Sequence, residues 1–210
     1  MKKFITSIPF QPPQKLTPII YKPIDNSELV YDTPNALPIL NAINAYADDG
    51  EEIKVYCLIP DNENCLNNFE IVSKQLNELV QSKSLICNIE KIVYSDDDNI
   101  STLLKLYGRL LKCFDDNDRL YICITYGTKP LPLVQLMALR YAYNAKKNIY
   151  IGSIVYGKVH GNIQNKDGGD IYDMTSLFYI DKLSEAFCRM SVENPEEKIA
   201  AIIFDSEEGA

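Results

Sequence analysis

Residues 120–143, LYICITYGTKPLPLVQLMALRYAY, have the fewest structural options of any part of the chain. The apolar run 120–125 is too short for a buried helix and is closed by a polar turn, Tyr126 to Pro130, with one glycine, so it reads as a buried strand. From Leu131 the apolar residues fall on most faces of a helix: Leu133, Val134, Leu136, Met137, Ala138, Leu139, Tyr141 and Ala142. Such a helix, spanning 131–145, is buried against the sheet and a neighbour, or against a second copy of itself. In an open α/β sheet, ligands sit beyond the carboxyl ends of the strands, where helix N-termini point free N–H groups outward. Thr125, Gly127, Thr128 and Lys129 are expected at that edge.

The rest of the chain alternates strand and helix around this unit. A strand at 3–6 leads into Ser7-Ile8-Pro9-Phe10 and a loop in which Pro12 and Pro13 forbid helix. Residues 19–24 suit a brief outlying strand. Thr33-Pro34 is expected to start a helix through Leu37, Leu40, Ala42 and Ile43 that stops at Asp48-Asp49-Gly50. A strand at 53–59 precedes a helix at 64–80, where Leu66, Phe69, Val72, Leu76, Leu79 and Val80 recur at helical spacing. A strand at 89–94, an amphipathic helix at 101–114, a strand at 148–156, a polar loop at 157–169 and a short strand at 170–174 follow. Asp173 or Thr175 then caps a helix through Ile180, Leu183, Phe187 and Met190. This order predicts an α/β fold: a doubly wound, mostly parallel, Rossmann-like sheet of about six strands with a late antiparallel edge. Residues 1–190 form the expected domain. Residues 191–210 read as an acidic linker or the start of a further, effector domain, interrupted by the apolar run 199–204.

Composition narrows the function. A formal net charge of -8 over 210 residues supplies no basic field for duplex nucleic acid, which favours a small ligand held in a local cradle. Six cysteines with no C-x-x-C pair and a single histidine fit neither a zinc site nor a disulfide framework; they read as free thiols in a reducing, cytoplasmic setting. No stretch approaches the roughly 20 apolar residues of a membrane span. The aspartates Asp96, Asp97 and Asp98 read as a helix start and not as a metal site, since consecutive carboxylates do not converge on one ion unaided. No phosphate-binding glycine motif, nucleophile elbow or zinc motif is present, and His160 stands alone in a polar loop. No catalytic residue, metal or cofactor is assigned.

Two edge loops remain: Thr6-Ser7-Ile8-Pro9-Phe10, and Thr125-Tyr126-Gly127-Thr128-Lys129-Pro130. Their hydroxyls, amides, rings and single lysine suit phosphodiester oxygens and stacked bases. As residues alone, Thr125 to Pro130 read equally well as an ordinary strand-to-helix turn, with Thr128 as a cap and Pro130 as a helix starter. The segment Ile124-Thr125-Tyr126-Gly127-Thr128-Lys129-Pro130-Leu131-Pro132, after a strand and before a long apolar helix, resembles the ligand motif of the CRISPR-associated Rossmann fold (CARF) domains. The closing segments 149–157 and 171–176 are similar to that family's last strands. Cys123 and Tyr126 depart from its common pattern.

The resemblance implies a homodimeric sensor that binds a cyclic oligoadenylate, cyclic tetra-adenylate or cyclic hexa-adenylate, across the two-fold axis. Such a sensor switches an attached effector, of nuclease or adenosine deaminase type, in type III CRISPR antiviral defence, and the effector can raise the oligomeric state. The resemblance assigns Thr6, Ser7, Ile8, Pro9, Phe10 and Thr125, Tyr126, Gly127, Thr128, Lys129, Pro130 to the ligand. One alternative is a slow, metal-independent ring nuclease using Ser7, Thr128 and Lys129. A remoter one is an unrelated nucleotide-binding α/β enzyme.

Overall fold

The computed structural model describes residues 1–161 and 168–205. It divides into two compact units, the first being Met1–Asp173 and the second beginning at Met174. The first unit holds β1 (Lys2–Ser7), β2 (Tyr21–Pro23), α1 (Ile39–Tyr46), β3 (Glu52–Pro60), α2 (Glu63–Ser82), β4 (Ile86–Tyr94), α3 (Ile100–Leu110), β5 (Arg119–Cys123), α4 (Leu131–Ala145), β6 (Tyr150–Val159) and β7 (Gly169–Asp173). The second holds α5 (Thr175–Arg189) and α6 (Pro195–Asp205).

The seven strands form one sheet in the order β2-β7-β6-β5-β1-β3-β4. From β1 at its centre the chain steps outward through β3 to β4, then crosses back to lay β5 on the other side of β1, with β6 beyond. All of these pairings are parallel. This is the winding of a Rossmann sheet, and it puts the topological switch point between β1 and β5. The one antiparallel pairing joins β6 to β7, and β2 adds to β7 in parallel. The sheet thus exceeds the expected six strands by the three residues of β2, which fall within the outlying segment 19–24.

Alternation along β1 sorts the two faces. Phe4 and Ile8 join a core with Leu40 and Ile43 of α1 and Phe69, Val72 and Leu76 of α2. Ile5, Leu58, Ile122 and Ile154 are buried on the opposite face, where α4 reaches Ser7 and packs on α3. Along β6 the pairing with β5 shifts register between Leu120 and Tyr121, at Gly152. A Cβ at Gly152 would lie 2.3 Å from the Tyr121 ring, which is itself stacked between Phe4 and Tyr46.

Several boundaries differ from the sequence reading. Thr33-Pro34 does not start a helix: Asn35 pairs with Ile19 in an isolated bridge, and the helix begins at Ile39 behind Pro38. The fully buried Asn41 fixes this arrangement, donating to the carbonyl of Leu29 and accepting from Asn35. A long-range bridge therefore outweighs the local capping signal. The cap of α3 is Asn99, whose side chain accepts from Ser101 N–H, while Asp97 turns back to Ser95 and the Asn99 amide. Residues 199–204 lie within α6. Of the polar loop expected at 157–169, residues 157–159 belong to β6 and Gly169 to β7, and 162–167 lie outside the described residues, as do 206–210. No described helix is long and apolar enough to cross a membrane.

Candidate functional site

The parallel pairing of Ile5 with Ile122 brings the loops after β1 and β5 side by side at the switch point. The two loops are built differently.

The first is closed. Thr6, Ser7 and Ile8 are almost wholly buried, Pro9 is buried, and Phe10 alone keeps partial exposure. Ile8 N–H continues the strand ladder to the Leu58 carbonyl. Beyond it the first turns of α2 hold the chain down. Asn68 Nδ2 donates to the Pro9 carbonyl at 2.9 Å and the Gln11 carbonyl at 2.8 Å. Cys65 Sγ also donates to Pro9, and Asn64 to Phe10. These carbonyls have no ladder partner, and buried backbone acceptors demand one.

The second loop is open. Thr125, Tyr126, Gly127, Thr128 and Pro130 are half-buried, and Lys129 is exposed. Its ends are firmly held. Ile124 N–H donates to the Val155 carbonyl, and Thr125 Oγ1 accepts from Gly157 N–H at 2.8 Å and Cys123 Sγ at 3.2 Å. Gly127 has φ +111°, and a Cβ there would lie 2.4 Å from Leu131 Cδ2. Conformation and contact both require glycine at that point.

Between these anchors the amides of Gly127, Thr128 and Lys129 donate no hydrogen bond among the described residues, and the Lys129 ammonium has no ion pair there. Consecutive free amides beside a positive-φ glycine form an anion-binding concavity, to which a lysine adds a point charge. The anion donors lie in the turn and not in the helix. Pro130 and Pro132 carry no N–H, Leu131 N–H bonds Thr128, and Leu133 N–H bonds Pro130. This corrects the expectation that the α4 N-terminus presents free N–H groups: its two prolines remove them.

Tyr126 is also placed otherwise than a surface stacking ring would be. It packs against the core, its hydroxyl 3.4 Å from that of the fully buried Tyr21, and burial pushes both phenols above their ordinary range. Cys123 is buried beneath the loop, its thiol raised by burial despite the Thr125 hydroxyl.

Gln135 is the side chain that the sequence reading passed over. It is fully buried on α4, and its Nε2 faces the Cys123 carbonyl at 3.4 Å and Ser7 Oγ at 3.5 Å. The end of each strand thus meets one amide of the intervening helix. Its signal in the sequence is a lone amide among Leu133, Val134, Leu136 and Met137. The structure therefore brings Ser7 close to the base of the second loop, whereas Thr128 and Lys129 stay at the surface. His160 Nε2 pairs with Asp170 Oδ2 at 2.7 Å, and this holds the Asp170 carboxyl below its usual range.

No protein-family model matches the chain. No curated protein matches it either.

Proposed function

We propose that the chain is a CARF-type sensor whose second loop cradles the phosphates of a cyclic oligoadenylate, with cyclic tetra-adenylate favoured over cyclic hexa-adenylate. The observation that carries this reading is the run of three amides, Gly127 to Lys129, and a lysine, all without a partner among the described residues, beside the switch point of a Rossmann-like sheet. In an acidic protein, positive potential confined to one turn selects a compact phosphate ligand over a duplex. A ring with two-fold symmetry asks for a second cradle, and α4 supplies a face for a second copy. Its Leu133 (62% exposed), Met137 (43%) and Tyr141 (37%) recur every four residues and leave an apolar stripe in water. In this reading ring binding alters the relation of two protomers and so switches an effector in type III CRISPR antiviral defence.

The test is calorimetric titration of the chain with each ring, followed by chromatography of the recovered ligand. The expected result is one intact ring per two chains. Linear products would instead make the chain a ring nuclease, with Thr128 and Lys129 at the cleaved phosphate. Failure to bind either ring would refute the reading.

A further inference from the structure

The antiparallel ribbon of β6 and β7 carries a cluster that the loop assignment leaves unused. Tyr156 pairs with Tyr172 and Lys158 with Asp170 across the two strands. The two tyrosine rings lie with centroids 6.3 Å apart, and Tyr156 keeps 37% of its surface exposed. Tyr172 Oη donates to Asp170 Oδ2 at 3.2 Å, and the same oxygen takes the His160 contact. One ring is therefore fixed at its hydroxyl while its neighbour stands open.

The position of Tyr156 is what gives this pair a use. The residues on either side of it are both bonded to the candidate loop: the Val155 carbonyl accepts from Ile124 N–H, and Gly157 N–H donates to Thr125 Oγ1. Tyr156 thus stands beside Ile124 and Thr125, where the candidate loop leaves β5, two residues before Gly127. Its direction is also fixed. A Cβ at Gly157 would meet Pro38 and Tyr21 on the α1 side, so its neighbour Tyr156, and Tyr172 opposite, point to the other face, the side of α4. A cross-strand aromatic pair stabilises a hairpin on its own. Here the pair also stands next to the start of the candidate loop, and Tyr156 is open to water.

We infer that Tyr156, braced by Tyr172 and the Asp170–His160 pair, is a stacking ledge for a purine base of the ligand whose phosphate lies on Gly127 to Lys129. This rests on the phosphate-cradle reading of that loop. Every nucleobase has a π-face, and an aromatic side chain that stacks on it adds affinity that a bare phosphate cannot draw on. The ledge accordingly distinguishes a nucleotide from a bare phosphate, which the loop alone does not.

The chain contains no tryptophan, so the variant Tyr156→Trp introduces a single indole at the ledge. Its fluorescence is followed with four probes: cyclic tetra-adenylate, cyclic hexa-adenylate, adenosine 5′-monophosphate and inorganic tripolyphosphate. The inference expects saturable quenching by a ring and none by tripolyphosphate. Tyr156→Phe should keep ring affinity near the native value, and Tyr156→Ala should lower it by about ten-fold or more at an unchanged melting temperature. A ring bound by the native chain with a silent indole, or with full affinity retained in Tyr156→Ala, overturns the ledge and leaves the ring reading standing. Equal quenching by tripolyphosphate also overturns the ledge. Quenching by the mononucleotide with no binding of either ring overturns the ring reading and keeps the ledge. Silence with all four probes, together with no binding of either ring by the native chain, overturns both.

Discussion

The two ends of the sheet use opposite chemistry. At the amino end charge is concentrated and satisfied. Lys2 pairs with Asp48 and Glu51, and Lys3, 3% exposed, pairs with Asp115 and the equally buried Asp118 and donates to the Cys113 carbonyl. At the carboxyl end, where β1 and β5 stop, the buried polar groups are neutral, Thr6, Ser7 and Gln135, and the charged Lys129 of the open loop lies out in solvent. Buried charges are tolerable only when paired, and pairing locks the chain around them. Neutral donors can be left unbonded at the surface at small cost because water serves them until a ligand arrives. The difference teaches where this fold can change and where it cannot.

The contrast breaks most severely at Lys3. Lys3→Met leaves Asp118 buried without its main partner, and urea denaturation should register a loss of about 3 kcal/mol. The pH profile sharpens the assignment. Burial alone would lower the Lys3 pKa, but hydrogen bonds and charge from Asp115 and Asp118 outweigh it and raise the lysine above its ordinary 10.5. That contribution is complete below pH 10.5 and is lost as pH rises through the elevated value. Hydrogen bonding and charge from Lys3 lower Asp115 beneath its ordinary 3.8, so its share is present above that pH and fades as pH falls. Lys3→Met should reduce both dependences, and a variant whose stability curve keeps the native alkaline flank would contradict the lock.

At the open end the effects on stability are smaller. Gly127→Ala combines a strained backbone with a clash against Leu131 and should cost about 2 kcal/mol while displacing the free amides, so calorimetry should also record a weakened ring. Asn68→Ala frees the Pro9 and Gln11 carbonyls and should cost about 1–2 kcal/mol in chemical denaturation. Amide hydrogen exchange should then rise in 8–11 and not in 125–130. Uniform exchange across both loops would show that they are not separately held.

How much of this the sequence revealed follows the same division. The α4 helix runs from Leu131 to Ala145 as its pattern indicates, and β3, α2, β5 and β6 sit where hydrophobic period and turn residues put them. Such segments are decided locally. Thr33-Pro34 failed as a helix start because the bridge of Asn35 to Ile19 and the contact of Asn41 with Leu29 are long-range, and no local pattern encodes them. The candidate loop was legible as a segment, but not the state of its groups. That Tyr126 turns into the core and that Asn68 closes the first loop depend on neighbours distant in sequence, whereas the emptying of the α4 N-terminus is local, set by Pro130 and Pro132 themselves. Gln135 was visible as a lone amide in an apolar helix, yet its role needed both strand ends in place.

The most direct test of the phosphate cradle is calorimetry of cyclic tetra-adenylate with the native chain and with Lys129→Ala, at low and high salt. Lys129 is exposed and has no ion pair among the described residues, so its removal should change stability by less than about 0.5 kcal/mol. The account predicts binding of one ring per two chains, about ten-fold or more weaker in the variant, with a shallower salt dependence because phosphate contacts have been lost. Equal affinity and equal salt dependence in the two proteins would contradict it.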